Sequence, residues 1–357
     1  MELSLQPDFE TVKRRYEAFW HQAVVDRPLV SLRVPRTDGK ALPEKEHPSW
    51  EAWWKDIGFR SERLAAELAN TEYLGDALPV AWPDMGPEIF SAWCGCSYHY
   101  GQDTTWTDPC IFDWENDCDR AVFDSSHPLF QLLVRFTDDL IERGKGKFIV
   151  GLTDFHPGGD HLAALRDPQQ LAVDMIENRD WIERKLESSY REYFDVYDFF
   201  YVRLREAGMP ITSWTPLIHD GRYYIPSNDF SAMISKEMFD EAFLPGIERE
   251  CCFLERSIYH LDGPGALQHL DSILAIEELD AVQWVPGAGH EGFGKWIEVY
   301  RRIQAAEKSL QILSLKLEEL PLVFESLRPE GVWISGVSGV DDRETAERVI
   351  RRVERWE

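Results

Sequence analysis

The chain has 357 residues, 38 Lys and Arg against 64 Asp and Glu, a formal charge of −26, and 44% hydrophobic residues. That apolar share supports a folded core and excludes a disordered chain, while the acidic surplus repels nucleic acid and anionic lipid. No apolar run reaches the roughly 18 residues that span a bilayer, and the opening residues lack a signal-peptide pattern, so the expectation is a soluble, cytoplasmic protein.

Helical periodicity covers residues 9–23, a strand follows at 28–34, and a second helix covers 60–68. Residues 1–75 read as a lead-in packed on the main domain, with a Pro-rich, charged loop at 36–48. An alternating pattern then begins. Strands are expected at 78–82, 148–154, 210–214, 223–227, 257–262, 281–285, 310–315 and 331–335, mostly separated by helical stretches. Such alternation predicts an α/β fold of (β/α)8 TIM type over residues 76–357. Between 210–214 and 223–227 there is too little chain for a crossover helix. Aromatic and acidic residues at about 97–126 break the alternation and predict an inserted antiparallel flap on the active-site face. Ser235 should cap a helix that Pro245 kinks. Asp341 with Glu344 should open a last helix whose stripe is Ala346, Val349, Ile350 and Val353.

In a β/α barrel the reactive groups sit just past the carboxyl ends of the strands. His260 and Asp262 are two residues apart on one expected strand end, so both point to one face, as do Asp154 and His156 on another. Two imidazoles with two carboxylates suit a divalent metal site or a proton-transfer site. Alternatively, Asp262 caps the turn at Gly263-Pro264-Gly265. Asp160 and His161 follow Pro157-Gly158-Gly159, where glycine permits close approach to a ligand. Trp82 and Trp284, at strand ends, are candidate stacking walls for a substrate, and Tyr224 is a candidate contact. The six cysteines read as reduced thiols, with Cys94-Gly95-Cys96 and His99 as an alternative soft-metal site. No Gly-x-Ser-x-Gly elbow or His-Glu-x-x-His helix is present, and the Gly-rich segment after Trp284 is read as a pocket wall and not as a nucleotide-binding turn.

Ala81-Trp82-Pro83-Asp84-Met85-Gly86-Pro87, the run from Ser227-Asn228-Asp229 to Ser235, Phe243-Leu244-Pro245, His260-Leu261-Asp262-Gly263 and Gly331-Val332-Trp333-Ile334-Ser335 carry a resemblance. Together they resemble the uroporphyrinogen decarboxylase superfamily, which includes cobamide-dependent methyltransferases, over residues 75–357. The resemblance implies a β/α barrel and places Asp84 where the family's pyrrole-binding aspartate lies. Only Arg33 and Arg36 stand near the strand where the decarboxylase carries its carboxylate-binding arginines, which disfavours a polycarboxylated porphyrinogen. The family's zinc methyltransferases use His-x-Cys and a late Cys; this chain has His260-x-Asp262 and Ser335-Gly336-Val337-Ser338, a harder ligand set.

The resulting expectation is methyl transfer from a small O- or N-methylated substrate to a corrinoid protein. Asp84 and Asp229 would orient or protonate the leaving group, with Asp154 in the same catalytic set and His156 among the substrate contacts. His260 and Asp262 would hold zinc or manganese or polarise the substrate. The corrinoid is expected to come from a partner protein. Alternatives are processing of a carbohydrate or small aromatic, decarboxylation of a small acid, and a non-catalytic binding barrel. The oligomeric state is left open.

Overall fold

Short runs rich in Val, Ile, Leu and aromatics form the strands, and most are buried on both faces, as in sheets covered by helices. A computed structural model describes residues 1–313 and 315–357. Its strands are β1 (Leu29–Pro35), β2 (Thr71–Gly75), β3 (Val80–Ala81), β4 (Ser97–Tyr100), β5 (Thr105–Asp108), β6 (Ile149–Val150), β7 (Tyr223–Tyr224), β8 (Arg256–Asp262), β9 (Ala281–Val285), β10 (Ser309–Ile312), β11 (Leu315–Lys316), β12 (Val332–Ile334) and β13 (Val337–Ser338). Ser314, inside the strand expected at 310–315, lies outside the described residues.

The main sheet runs β2-β1-β12-β10-β9-β8-β7 and is parallel except for the antiparallel β1–β2 pair. β3 and β6 form a second parallel pair. The fold is thus α/β with a large parallel sheet and helices between successive strands.

The expected lead-in does more than pack on this sheet: β1 is a parallel neighbour of β12. Its junction with the next segment is held by Asp76, fully buried, which accepts from the Val30 amide (2.9 Å), Arg15 Nη1 (3.1 Å) and Arg27 Nη2 (3.1 Å). The Asp76 amide donates back to Val30 O at 2.7 Å.

No strand forms at 210–214. Pro210 has no N–H to give a ladder, and the segment folds back through an Ile211–His219 antiparallel bridge. Its Thr212 carbonyl still accepts from the Leu152 amide at 2.8 Å, next to β6.

The insertion is an antiparallel hairpin of β4 and β5. Tyr98 and Thr105 bond one another at 2.6 Å, and the Thr105 hydroxyl reaches Met85 O at 3.1 Å, seating the hairpin on the loop after β3. Ser235 caps Lys236–Ala242, accepting from the Met238 amide, and Pro245 opens a separate helix, Leu244–Phe253, instead of kinking a continuous one. The last helix, Arg343–Arg355, is capped by Asp342, one residue beyond the expected Asp341, and buries Ala346, Val349 and Val353. No helix among the described residues is long and apolar enough to cross a membrane.

Candidate functional site

β8 ends in His260 and Asp262, and the parallel bridge between Ser227 and His260 carries Asp229 alongside them. One ligand atom from each of Asp229, His260 and Asp262 lies within 4.8 Å of the others. His260 Nε2 is 4.0 Å from Asp229 Oδ1, too far for a hydrogen bond. The gap is wider than the about 3.4 Å between donors about 2.1 Å from a tetrahedral metal, so an ion bound here would draw the two side chains together.

The strand register decides which nitrogen of His260 is free. His260 on β8 pairs with Gln283 on β9, which pairs with Gln311 on β10. Gln283 Nε2 donates to Gln311 Oε1 at 2.6 Å and Thr215 Oγ1 at 3.2 Å, so its Oε1 accepts from His260 Nδ1. The network therefore places the ring hydrogen on Nδ1 and leaves the Nε2 lone pair toward Asp229, the usual preparation of a metal-binding imidazole. Two carboxylates and one imidazole nitrogen fit a divalent cation.

A second group sits after β6. Asp154 Oδ1 and His156 Nε2 are 2.6 Å apart, and both side chains are largely buried. Burial alone would lower the His156 pKa, but the adjacent Asp154 carboxylate overrides it and lifts the imidazole to about 9. Asp160 accepts from the amides of Asp229 (3.0 Å) and Phe230 (2.8 Å), so it fixes the turn that carries Asp229. Burial, then the Asp229 charge, raises its pKa. Glu250, fully buried behind this group, is pushed up to about 8 by burial.

A cavity of about 630 Å³ lies in front, bounded by Trp82, Asp154, His156, Trp214, Asp229 and His260 among others. Trp82, Trp214 and His260 also border a second cavity of about 530 Å³. Trp214 meets the His260 ring edge-on at 5.2 Å.

Three expected site residues take other places. Tyr224 is fully buried and its hydroxyl donates to Thr153 O (2.6 Å) and accepts from the Phe155 amide (2.9 Å). It lines neither of these two cavities; it clamps the backbone on both sides of Asp154. Trp284, also fully buried, packs on Trp296 at 5.0 Å in the apolar core, because its position in β9 faces away from Gln283. Asp84 borders neither cavity, and its Oδ1 accepts from the Gly86 amide at 2.7 Å in a side-chain-closed turn. Gly159 serves the fold and not a ligand: a Cβ there would meet Asn228 Oδ1 at 2.3 Å. His99 pairs with exposed Asp108 at 2.7 Å, away from the buried Cys94 and Cys96. Gln283, Trp214 and Asp160 enter the site, and the signal for Gln283 was a lone polar residue inside the apolar run of β9.

No protein-family model matches the chain, and no curated protein matches it. Among solved structures it is similar to a methyltransferase from Methanosarcina mazei, with a TM-score of 0.62 and 10% identity over 97% of this chain and 98% of that one. The two share a fold.

Proposed function

We propose that this chain is a methyltransferase-type enzyme of the uroporphyrinogen decarboxylase-like superfamily, closed as a TIM-type barrel in a cytoplasmic setting. It takes a methyl group from a small O- or N-methylated substrate and passes it to a corrinoid carried by a partner protein. The observation that carries the reading is the convergence of Asp229, His260 and Asp262 beside a cavity of substrate size, with the His260 Nε2 lone pair left free by Gln283. Its support from outside the chain is the shared fold with a methyltransferase.

Asp229, His260 and Asp262 would hold zinc or manganese, and Gln283 keeps the imidazole in the binding tautomer. Bound there, the ion would supply Lewis-acid polarisation of a substrate donor atom. The chain's own groups do the positioning. Asp160 holds the Asp229 turn, Tyr224 holds Asp154, and the indoles of Trp82 and Trp214 flank the substrate. In the transfer, the bond between methyl carbon and heteroatom breaks with its electron pair left on the heteroatom, while the carbon bonds to the acceptor's nucleophile.

The test is methylcobalamin formation from cob(I)alamin and a panel of O- and N-methylated compounds, followed by absorbance. Wild type is expected to methylate the acceptor and His260→Ala to lose at least about 100-fold, the size of a lost metal ligand or its support. Absence of transfer from every compound by folded, metal-supplemented protein would overturn the reading.

A further inference from the structure

Resting on the methyl-transfer reading, we propose that the substrate presents a positively charged methylated ammonium group to the cavity in front of Asp229 and His260. The lining is acidic in balance, with the His156 imidazole paired to Asp154 at 2.6 Å as its basic partner. Glu88, Asp154, Asp160 and Asp229 contribute carboxylates, and no Lys or Arg borders the space. A quaternary nitrogen has no lone pair for the ion that Asp229, His260 and Asp262 would hold, so that ion, matched by its two carboxylates, would serve a hydroxyl or carboxyl of the same molecule.

The aromatic lining agrees. Trp82, Trp214, Phe90 and Phe230 border the cavity. The protein's own cations stack on other rings: among the described residues none lies over these four. Indole faces beside carboxylates are what attract a methylated ammonium, whose charge spreads over its methyl groups and resists hydration. Four buried polar atoms on cavity-lining side chains, Asp154 Oδ1, His156 Nδ1, His161 Nε2 and Trp214 Nε1, have no hydrogen-bond partner among the described residues. The His156 side chain is only 10% exposed, and its unpartnered Nδ1 suits a polar group such as a hydroxyl or carboxyl on the same molecule.

The leaving group points the same way. When a C–N bond of a quaternary ammonium breaks with its electron pair left on nitrogen, the methyl carbon goes to the acceptor and a neutral tertiary amine departs. No proton is consumed and no anion develops. An ether would leave an alkoxide or phenolate, which must take a proton or the charge of an ion, whereas a departing tertiary amine needs neither.

The closing experiment is calorimetric titration of the full chain, without methyl acceptor, against choline, its neutral isostere 3,3-dimethylbutan-1-ol, and pivalate. Choline is expected to bind at least about tenfold more tightly than either, and Trp214→Leu or Trp82→Leu to reduce that preference. Equal affinity for choline and the neutral isostere, or a preference for pivalate, would overturn the inference even if neither Trp variant folds. Choline preference without methyl transfer to any acceptor would count against the enzymatic reading alone; demethylation of a neutral ether without choline preference would leave that reading and remove this one.

Discussion

Gln283 accepts from His260 Nδ1 across the β8–β9 ladder, and that bond leaves Nε2 as the open nitrogen, 4.0 Å from Asp229 Oδ1. The carboxamide is locked from behind by Gln311 and Thr215, so the imidazole tautomer is set by a chain of side chains reaching across three strands. A residue that never touches the ion would thus decide how well the ion binds.

Gln283→Leu should therefore lower manganese affinity by about 10–100-fold, the range found for such supporting bonds. Gln283→Glu, which keeps an oxygen facing His260 Nδ1, should recover most of it. Calorimetry of Mn²⁺ binding to both variants checks this; equal losses in the two would reduce Gln283 to packing.

Asp160 spends its carboxylate on the amides of Asp229 and Phe230. Asp160→Ala leaves both amides without that acceptor and should cost about 1–3 kcal/mol in urea unfolding, together with weaker Mn²⁺ binding. Asp160→Asn retains a carbonyl acceptor and should lie between. Unchanged stability and binding in the alanine variant would show that Asp160 does not organise the turn.

The stability of the protein should fall as pH rises above neutrality. Glu250, raised to about 8 by burial, titrates near 4.5 in an unfolded chain. Above pH 4.5 the unfolded state releases this proton first, so the contribution of Glu250 is complete below that pH and is lost on passing 8. His156 adds the same sign, with a contribution complete below 6.5 and lost on passing about 9. Each group contributes a slope of up to about 1.4 kcal/mol per pH unit within its window. Urea denaturation from pH 6.5 to 9 should show the decline, and Glu250→Gln should flatten its lower part; a level profile in wild type would contradict both assignments.

Asp76 joins β1 to the chain leading into β3 through one amide and two guanidinium groups, with no exposure to water. Asp76→Ala removes the partner of buried Arg27 and should cost about 3–5 kcal/mol. Thermal unfolding measures it, and a loss below about 1 kcal/mol would mean that the arginines find other partners.

Strand periodicity exposed β8 and β9 in the sequence because their apolar runs are bounded by turn residues, and the spacing of His260 and Asp262 put both on one face. Asp229 stood out as a candidate aspartate but not as a neighbour of His260, since that contact arises from a bridge between distant segments. Pro210–Trp214 misled because an apolar run without usable amides reads like a strand. Trp284 and Tyr224 misled for another reason: composition marks an aromatic residue, but only strand orientation tells a cavity wall from a core wedge. Gln283 and Asp76 gave the opposite lesson, as polar residues next to apolar stretches whose partners lie far away in the chain.

The most direct test of the proposed cation centre is electron paramagnetic resonance of free Mn²⁺ during titration into the protein. The account predicts suppression of the free-ion signal up to one equivalent per chain, with that capacity weakened in Asp229→Asn and Asp262→Asn and absent in His260→Ala. A free-ion signal that rises from the first addition, or an identical titration in all three variants, would contradict it.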